Sequence, residues 1–245
     1  MVSGISVEKA TLYEKYRLPY ADEMVDGLLE HIGKVEVVAD VGSGTGQLAR
    51  MFAGRSTKVY AVEPDPAMRE VASASLADFA TVEILDGCAE RSTLAENSVD
   101  LVVIGNAFHR FSPEACAELL RVLKEQGWIA LVRYAFTNKA FADMLFSKLG
   151  ALEGFSSRTE KARYETPIQN LFGDGQIYVL SYPQSHTEGW TAFFGAACAG
   201  IEAPEPADRD YGEFEAINRQ VFDAFAVDGK IQIDYETRVS FGQPL

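Results

Sequence analysis

The segment Val38-Ala39-Asp40-Val41-Gly42-Ser43-Gly44-Thr45-Gly46 limits what this chain can become more than any other stretch. An apolar strand pattern runs into three glycines at alternate positions, and a helical pattern begins at Gln47. Residues without a Cβ allow a sharp turn and a close approach of backbone to a ligand that any side chain would hold away. The stretch predicts a strand, a ligand-cupping turn and a helix, which is how a nucleotide-binding α/β sheet begins.

The next hundred residues repeat that alternation. Apolar runs at 37–41, 59–62, 82–85, 99–104 and 128–132 are separated by helical spacing at 47–53, 67–76 and 113–123. Such alternation marks βαβ units and a parallel sheet, and runs that are apolar throughout suit strands covered on both faces. Ahead of the sheet, residues 13–29 predict one or two helices with Pro19 at a start or kink. Beyond it, 136–154 is apolar and aromatic at helical spacing, 158–174 is polar and hard to assign, and 211–226 predicts another helix. Residues 177–182 and the alternating 231–241 predict an antiparallel strand pair closing the sheet. The expectation is one α/β domain over 1–245: a core of about 35–135 with 175–182 and 230–242, and a helical lid from 1–30 and about 136–226.

Composition narrows the partners. Lys and Arg number 22 against 36 Asp and Glu, and the net charge of -14 repels polyanions. Nucleic acid and anionic membranes are therefore not expected. The first thirty residues show no charged n-region followed by an apolar h-region, and no apolar run approaches a bilayer span, so a cytoplasmic protein is expected. Cys88, Cys116 and Cys198 are odd in number and far apart, which suggests neither a disulfide framework nor a metal site. Oligomeric state has no signature.

Three ligand classes use a glycine turn of this kind. A phosphate-binding loop ends in Gly-Lys-Ser/Thr, whereas this one ends Gly46-Gln47-Leu48, so phosphoryl transfer is excluded. The dinucleotide fingerprint wants a further glycine where Gln47 stands, which weakens nicotinamide binding without excluding it. Glu63 ends the next strand about 20 residues after the turn, where a carboxylate can accept from both ribose hydroxyls of an adenosyl or a nicotinamide cofactor.

Asp40-Val41-Gly42-Ser43-Gly44-Thr45-Gly46 resembles the first motif of class I S-adenosylmethionine-dependent methyltransferases. The resemblance continues through Glu63-Pro64-Asp65, Asp86-Gly87-Cys88-Ala89-Glu90 and Asn106-Ala107-Phe108-His109-Arg110-Phe111 to Gly127-Trp128. Over 42–132 it is similar to the bacterial type 11 group that includes trans-aconitate methyltransferase-like proteins, and Tyr16-Arg17-Leu18-Pro19-Tyr20 and Tyr235-Glu236-Thr237-Arg238 extend it more weakly. It implies a Rossmann-like, mainly parallel seven-stranded sheet, S-adenosylmethionine as cofactor, and in-line transfer of its methyl group to a small-molecule acceptor. An S-adenosylmethionine-binding protein with a regulatory or non-methyltransferase role is the alternative.

By that resemblance Gly42, Ser43, Gly44, Gly46, Glu63, Pro64, Ala89, Glu90 and Asn106 belong to the cofactor site. Cys88, a cofactor-edge candidate against an inert buried thiol, stands where the family usually has Asp to meet the adenine amino group; a thiol is a poor acceptor, so adenine must lean on the Ala89 backbone, Glu90 or packing. Arg110 stands where the family often has Trp, and an Arg there suits an anionic or planar acceptor. His109 is the candidate base, against a purely positioning role. Tyr16 and Arg17 are candidates for the cofactor's carboxylate end. Tyr20, Tyr134 and Trp190, with His109 and Arg110, are the candidate acceptor contacts, although most aromatic residues after Tyr134 are expected in the core.

Overall fold

The computed structural model describes residues 4–161 and 167–244. In chain order the elements are α1 Val7–Tyr16, α2 Glu23–Ile32, β1 Val37–Val41, α3 Gln47–Phe52, β2 Lys58–Glu63, α4 Pro66–Ser75, β3 Val82–Asp86, β4 Val99–Gly105, α5 Ala115–Val122 and β5 Leu123–Phe136. Then come α6 Lys139–Gly150, α7 Glu153–Lys161, α8 Gln169–Phe172, β6 Tyr178–Gly189, α9 Trp190–Ala199, α10 Tyr211–Phe225 and β7 Lys230–Gly242. Part of the stretch 158–174, unassigned in sequence, lies outside the described residues.

The strands form one seven-stranded sheet in the order β3-β2-β1-β4-β5-β7-β6. β1 pairs in parallel with β2 and β4, β2 with β3, and β4 with β5. The C-terminal strand pair is antiparallel, which gives the Rossmann-like mixed sheet expected. From β1 the chain moves outward through β2 to β3 and then returns to β4 on the other side of β1. The carboxyl ends of β1 and β4 therefore flank the topological switch point, where open α/β sheets leave a crevice for ligands.

Alternate strand residues explain the two layers. Val38, Val59, Ala61, Leu101 and Val103 pack with Met24, Val25 and Leu28 of α2, Leu48 and Phe52 of α3, and Ala72 of α4. Ala39, Val41, Val62, Val102 and Ile104 point the other way, onto Cys116, Leu119 and Val122 of α5 and Leu171 and Phe172 of α8. Both sides of the parallel strands are thus apolar, as their uninterrupted hydrophobic runs require.

Two strands are longer than their apolar runs suggest. β5 begins at Leu123, directly after α5, and its register against β4 jumps from Val99↔Leu123 to Leu101↔Trp128. The polar residues of that irregularity hide it from a reading by hydrophobicity. β6 continues past Tyr182 to Gly189 through Pro183 and a mostly polar run, tolerable because it is the edge strand.

The chain divides into two compact units. The first comprises Met1–Pro19, Ala135–Arg163 and Pro183–Glu236; the second comprises Tyr20–Tyr134, Tyr164–Tyr182 and Thr237–Leu245. α2 falls in the second unit, with Met24, Val25 and Leu28 fully buried against the sheet. Within the first unit, α6, α9 and α10 pack through aromatic rings, including Phe141 with Phe193 and Phe225. Buried Lys9 of α1 joins it, its Nζ donating to the Ala203 carbonyl at 2.6 Å.

Candidate active site

The glycine turn lies at the carboxyl end of β1. Gly42, Gly44 and Gly46 have φ of 71°, 57° and 89°, in the left-handed region where L side chains are strained. Space forbids side chains as well. A Cβ on Gly42 would stand 2.8 Å from the Ala107 Cβ, and one on Gly46 would stand 2.5 Å from Leu76 Cδ1. The Gly42 and Ser43 amides both donate to the Val62 carbonyl, at 2.8 and 3.1 Å, tying the turn to the end of β2.

Glu63 completes that tie. Its Oε2 accepts from the Gly44 amide at 2.8 Å and its Oε1 from the Asp65 amide at 2.9 Å. Burial pushes the carboxyl above its ordinary range, and the Asp65 and Gly44 donors pull part of the way back. Each carboxylate oxygen keeps a further lone pair for a donor such as a ribose hydroxyl. Pro64 follows at the exposed strand end, and Asp65 caps α4 by accepting from the Ala67 and Met68 amides. Arg69 reaches back to the Glu63 carbonyl at 2.8 Å and pairs with Asp86 at 3.0 Å, bracing the ends of β2 and β3.

Asp40 opens the glycine motif and lies beneath the turn, a position to which the motif alone gives no role. Its Oδ2 accepts from the Ala49 amide in the first turn of α3 at 3.0 Å. Full burial pushes its carboxyl up to about 7, against the pull of that amide and with a further push from Glu63. An acid inside the apolar run immediately before the glycines was the available signal.

The segment after β4 forms the other wall of the crevice. Asn106 takes φ 50° and donates its backbone N–H to the Val132 carbonyl at 2.8 Å. Its Nδ2 donates to the Tyr20 hydroxyl at 2.8 Å, and the Tyr20 ring lies 6.0 Å from that of Tyr134. Tyr20, Asn106 and Tyr134 are therefore one cluster at the ends of β4 and β5. His109 and Arg110 follow on a 3₁₀ turn, Phe108–Arg110, and the Phe111 ring comes back over Gly42. After β3, Cys88 and Arg91 exchange backbone hydrogen bonds, Ala89 is buried, and Glu90 meets Ser112.

Tyr16, Arg17 and Trp190 belong to the first unit, where they make local contacts. The Tyr16 ring fills the space beside Gly195, Arg17 lies over the Tyr13 ring at 4.8 Å, and Trp190 stacks on Phe194 at 5.0 Å. Among the described residues, no group of three or more His, Cys, Asp and Glu side chains is placed to hold a metal ion.

An adenosyl cofactor fits this arrangement: among the described residues the Ser43 hydroxyl is buried without a partner in the turn, and the Glu63 carboxylate is aimed at the turn. Residues 39–131 also match the family described as Methyltransferase domain. The match covers less than half of the chain, from β1 into β5. The match supports S-adenosylmethionine as the cofactor.

Relatives of the methyltransferase domain agree. An uncharacterized methyltransferase of Mycobacterium tuberculosis is 40% identical over 121 residues, covering 49% of this chain and 48% of the relative. One from Schizosaccharomyces pombe is 32% identical over 124 residues, covering 49% and 48%. The chain spans about half the length of the curated relatives it matches. Among solved structures, a putative type II methyltransferase from Anaeromyxobacter dehalogenans superposes with a TM-score of 0.61 at 19% identity, over 94% of this chain and all of the other (100%). YcgJ of Bacillus subtilis gives 0.58 at 19% identity, over 92% and 100%. These two likenesses show the fold.

Proposed function

We propose that this protein transfers the methyl group of S-adenosylmethionine to a small-molecule acceptor. One observation carries the proposal: a side-chain-free turn at the switch point of the sheet, latched through its Gly44 amide to a buried carboxylate at the end of the neighbouring strand. When bound, the cofactor supplies an electrophilic methyl group on a positively charged sulfur. The protein's part is to bind, orient and exclude water.

In this reading Gly42, Ser43, Gly44 and Gly46 surround the cofactor's amino-acid and sulfonium portion, and Glu63, beside Pro64, takes the ribose hydroxyls. Tyr20, Asn106 and Tyr134 shape the methyl-facing wall, with Asn106 fixing the Tyr20 hydroxyl. His109 and Arg110 follow on the same segment and meet the acceptor, His109 receiving its proton and Arg110 its negative or planar part. Positioning supplies most of the acceleration: holding both reactants in line is worth roughly 7–11 kcal/mol, more than one general base contributes.

The acidic charge of -14 favours a small acceptor over nucleic acid. Cys88, Cys116 and Cys198 are free thiols, which suits a reducing, cytoplasmic setting. Among the described residues no helix is long and apolar enough to cross a membrane. The test is incubation of the protein and cofactor with a fractionated metabolite extract, followed by mass spectrometry. The expected outcome is a product about 14 Da heavier than its acceptor together with demethylated cofactor; cofactor uptake without any such product across the panel contradicts methyl transfer.

A further inference from the structure

From Leu180 onward the even positions of β6 are the inner ones, since burial alternates along the strand and the odd positions are exposed. Leu180 and Tyr182 pack on the core of the second unit. The inner positions that follow, in the first unit, are polar: Gln184, His186 and Glu188. Glu188 is the most buried of them, its side chain only 6% exposed. Over the same unit β7 keeps Ile231, Ile233 and Tyr235 at its buried positions. Packing therefore gives no reason for an acid at 188.

That acid is also poorly satisfied. Among the described residues, Glu188 Oε1 is buried without a hydrogen-bond partner, and it takes no amide of α9, which begins two residues later. Oε2 lies 3.4 Å from His186 Nε2, beyond the roughly 2.7–2.9 Å typical of a charge-assisted hydrogen bond. Burial pushes the carboxyl above its ordinary range and His186 pulls it part of the way back; no Lys or Arg among the described residues adds to that pull. A buried carboxylate oxygen without a donor is costly, and a neutral side chain of the same size avoids the cost.

The missing partner has a definite chemistry. An ionised carboxylate only accepts, so Oε1 calls for a donor, and the buried charge calls for a cationic one. His186 stands on Oε2, which leaves a single oxygen. A guanidinium pairs with a carboxylate through two parallel bonds and finds no second oxygen here, whereas a compact ammonium needs only one. His186 is 43% exposed, so the pair reaches from solvent to the buried oxygen. We infer that the first unit carries a binding site for an organic primary ammonium, with Glu188 Oε1 taking the cation and His186 holding Oε2 at the solvent-facing end. The site lies within Pro183–Glu236 and stands independently of the cofactor assignment.

Titration of the isotope-labelled full chain with butylamine, butanol, butyrate and butylguanidine, followed through the amide resonance of Gly189, tests it. A saturable shift with butylamine is expected, with binding of butanol and butyrate weaker by roughly tenfold or more and of butylguanidine weaker as well. Glu188→Gln, which keeps the shape, loses the butylamine response and melts higher than the wild-type chain without ligand, because an unpaired buried charge is gone. His186→Ala frees Oε2 and brings butylguanidine up to butylamine, a change in preference that a merely structural histidine would not cause. The inference is overturned by a wild-type chain with no saturable response to butylamine, by an equal response to butanol or butylguanidine, or by a folded Glu188→Gln variant that binds butylamine as before.

Discussion

At the residue scale, Glu63 carries two loads, since its carboxylate holds the Gly44 amide and, in the proposed function, takes the ribose hydroxyls. Glu63→Gln places an amide nitrogen opposite one of two backbone donors and removes the charge. Cofactor affinity measured by calorimetry is expected to fall roughly tenfold to a hundredfold, and the Gly44 amide to exchange faster with deuterated water. Gly46→Ala fails for a different reason: φ of 89° and Leu76 leave a Cβ neither conformation nor space. A loss of about 1–3 kcal/mol in chemical denaturation is expected. His109→Gln separates base from positioner, because loss of a base lowers kcat about 10²-fold or more while affinity for the cofactor holds. Glu63 was readable from its distance to the glycines. Asp40 was visible as an acid inside an apolar run, but its burial and the contact of Glu90 with Ser112 were not, because packing between residues far apart in sequence leaves no local pattern.

At the element scale, the turn depends on how β1 hands over to α3. Asp40, pushed up to about 7, keeps a proton in the folded chain that the unfolded chain gives up near its ordinary value of 3.8. Between those values the folded state binds more protons, so this group's contribution to stability is full below about pH 4 and is lost as pH rises through 7. Asp40→Asn should flatten that part of the stability profile. Glu118 of α5 gives the opposite sign. The Arg121 guanidinium, with help from the Ser92 hydroxyl and amide, holds its carboxyl down to about 2, so its contribution is present above the ordinary 4.5 and lost as pH falls toward 2. Glu118→Gln should flatten the acid-side loss by lowering stability at neutral pH, where the carboxylate contributes. Strands covered on both faces were readable as uninterrupted apolar runs, and β7 as alternation. The start of β5 and the far half of β6 were not, because a register irregularity and an edge strand each carry polar residues that hydrophobic pattern assigns to loops.

At the scale of the whole molecule, 36 acidic against 22 basic side chains surround a site for a ligand with a cationic sulfur. A net charge of -14 should speed the approach of the sulfonium form, and salt should screen that gain. Stopped-flow association rates for S-adenosylmethionine are expected to fall with ionic strength more steeply than those for S-adenosylhomocysteine, which lacks the sulfonium charge. Equal slopes would remove long-range attraction from the account. The packing of α2 on the sheet was not readable, because it depends on which of its faces is buried.

Thermal unfolding of the intact chain with and without saturating S-adenosylmethionine, paired with equilibrium dialysis, tests the central claim most directly. Binding to the folded state alone must raise the midpoint. The account predicts saturable uptake of one ligand per chain, a higher midpoint, and loss of both in a folded Glu63→Ala variant. An unchanged midpoint with no retained ligand in the wild-type chain would contradict it.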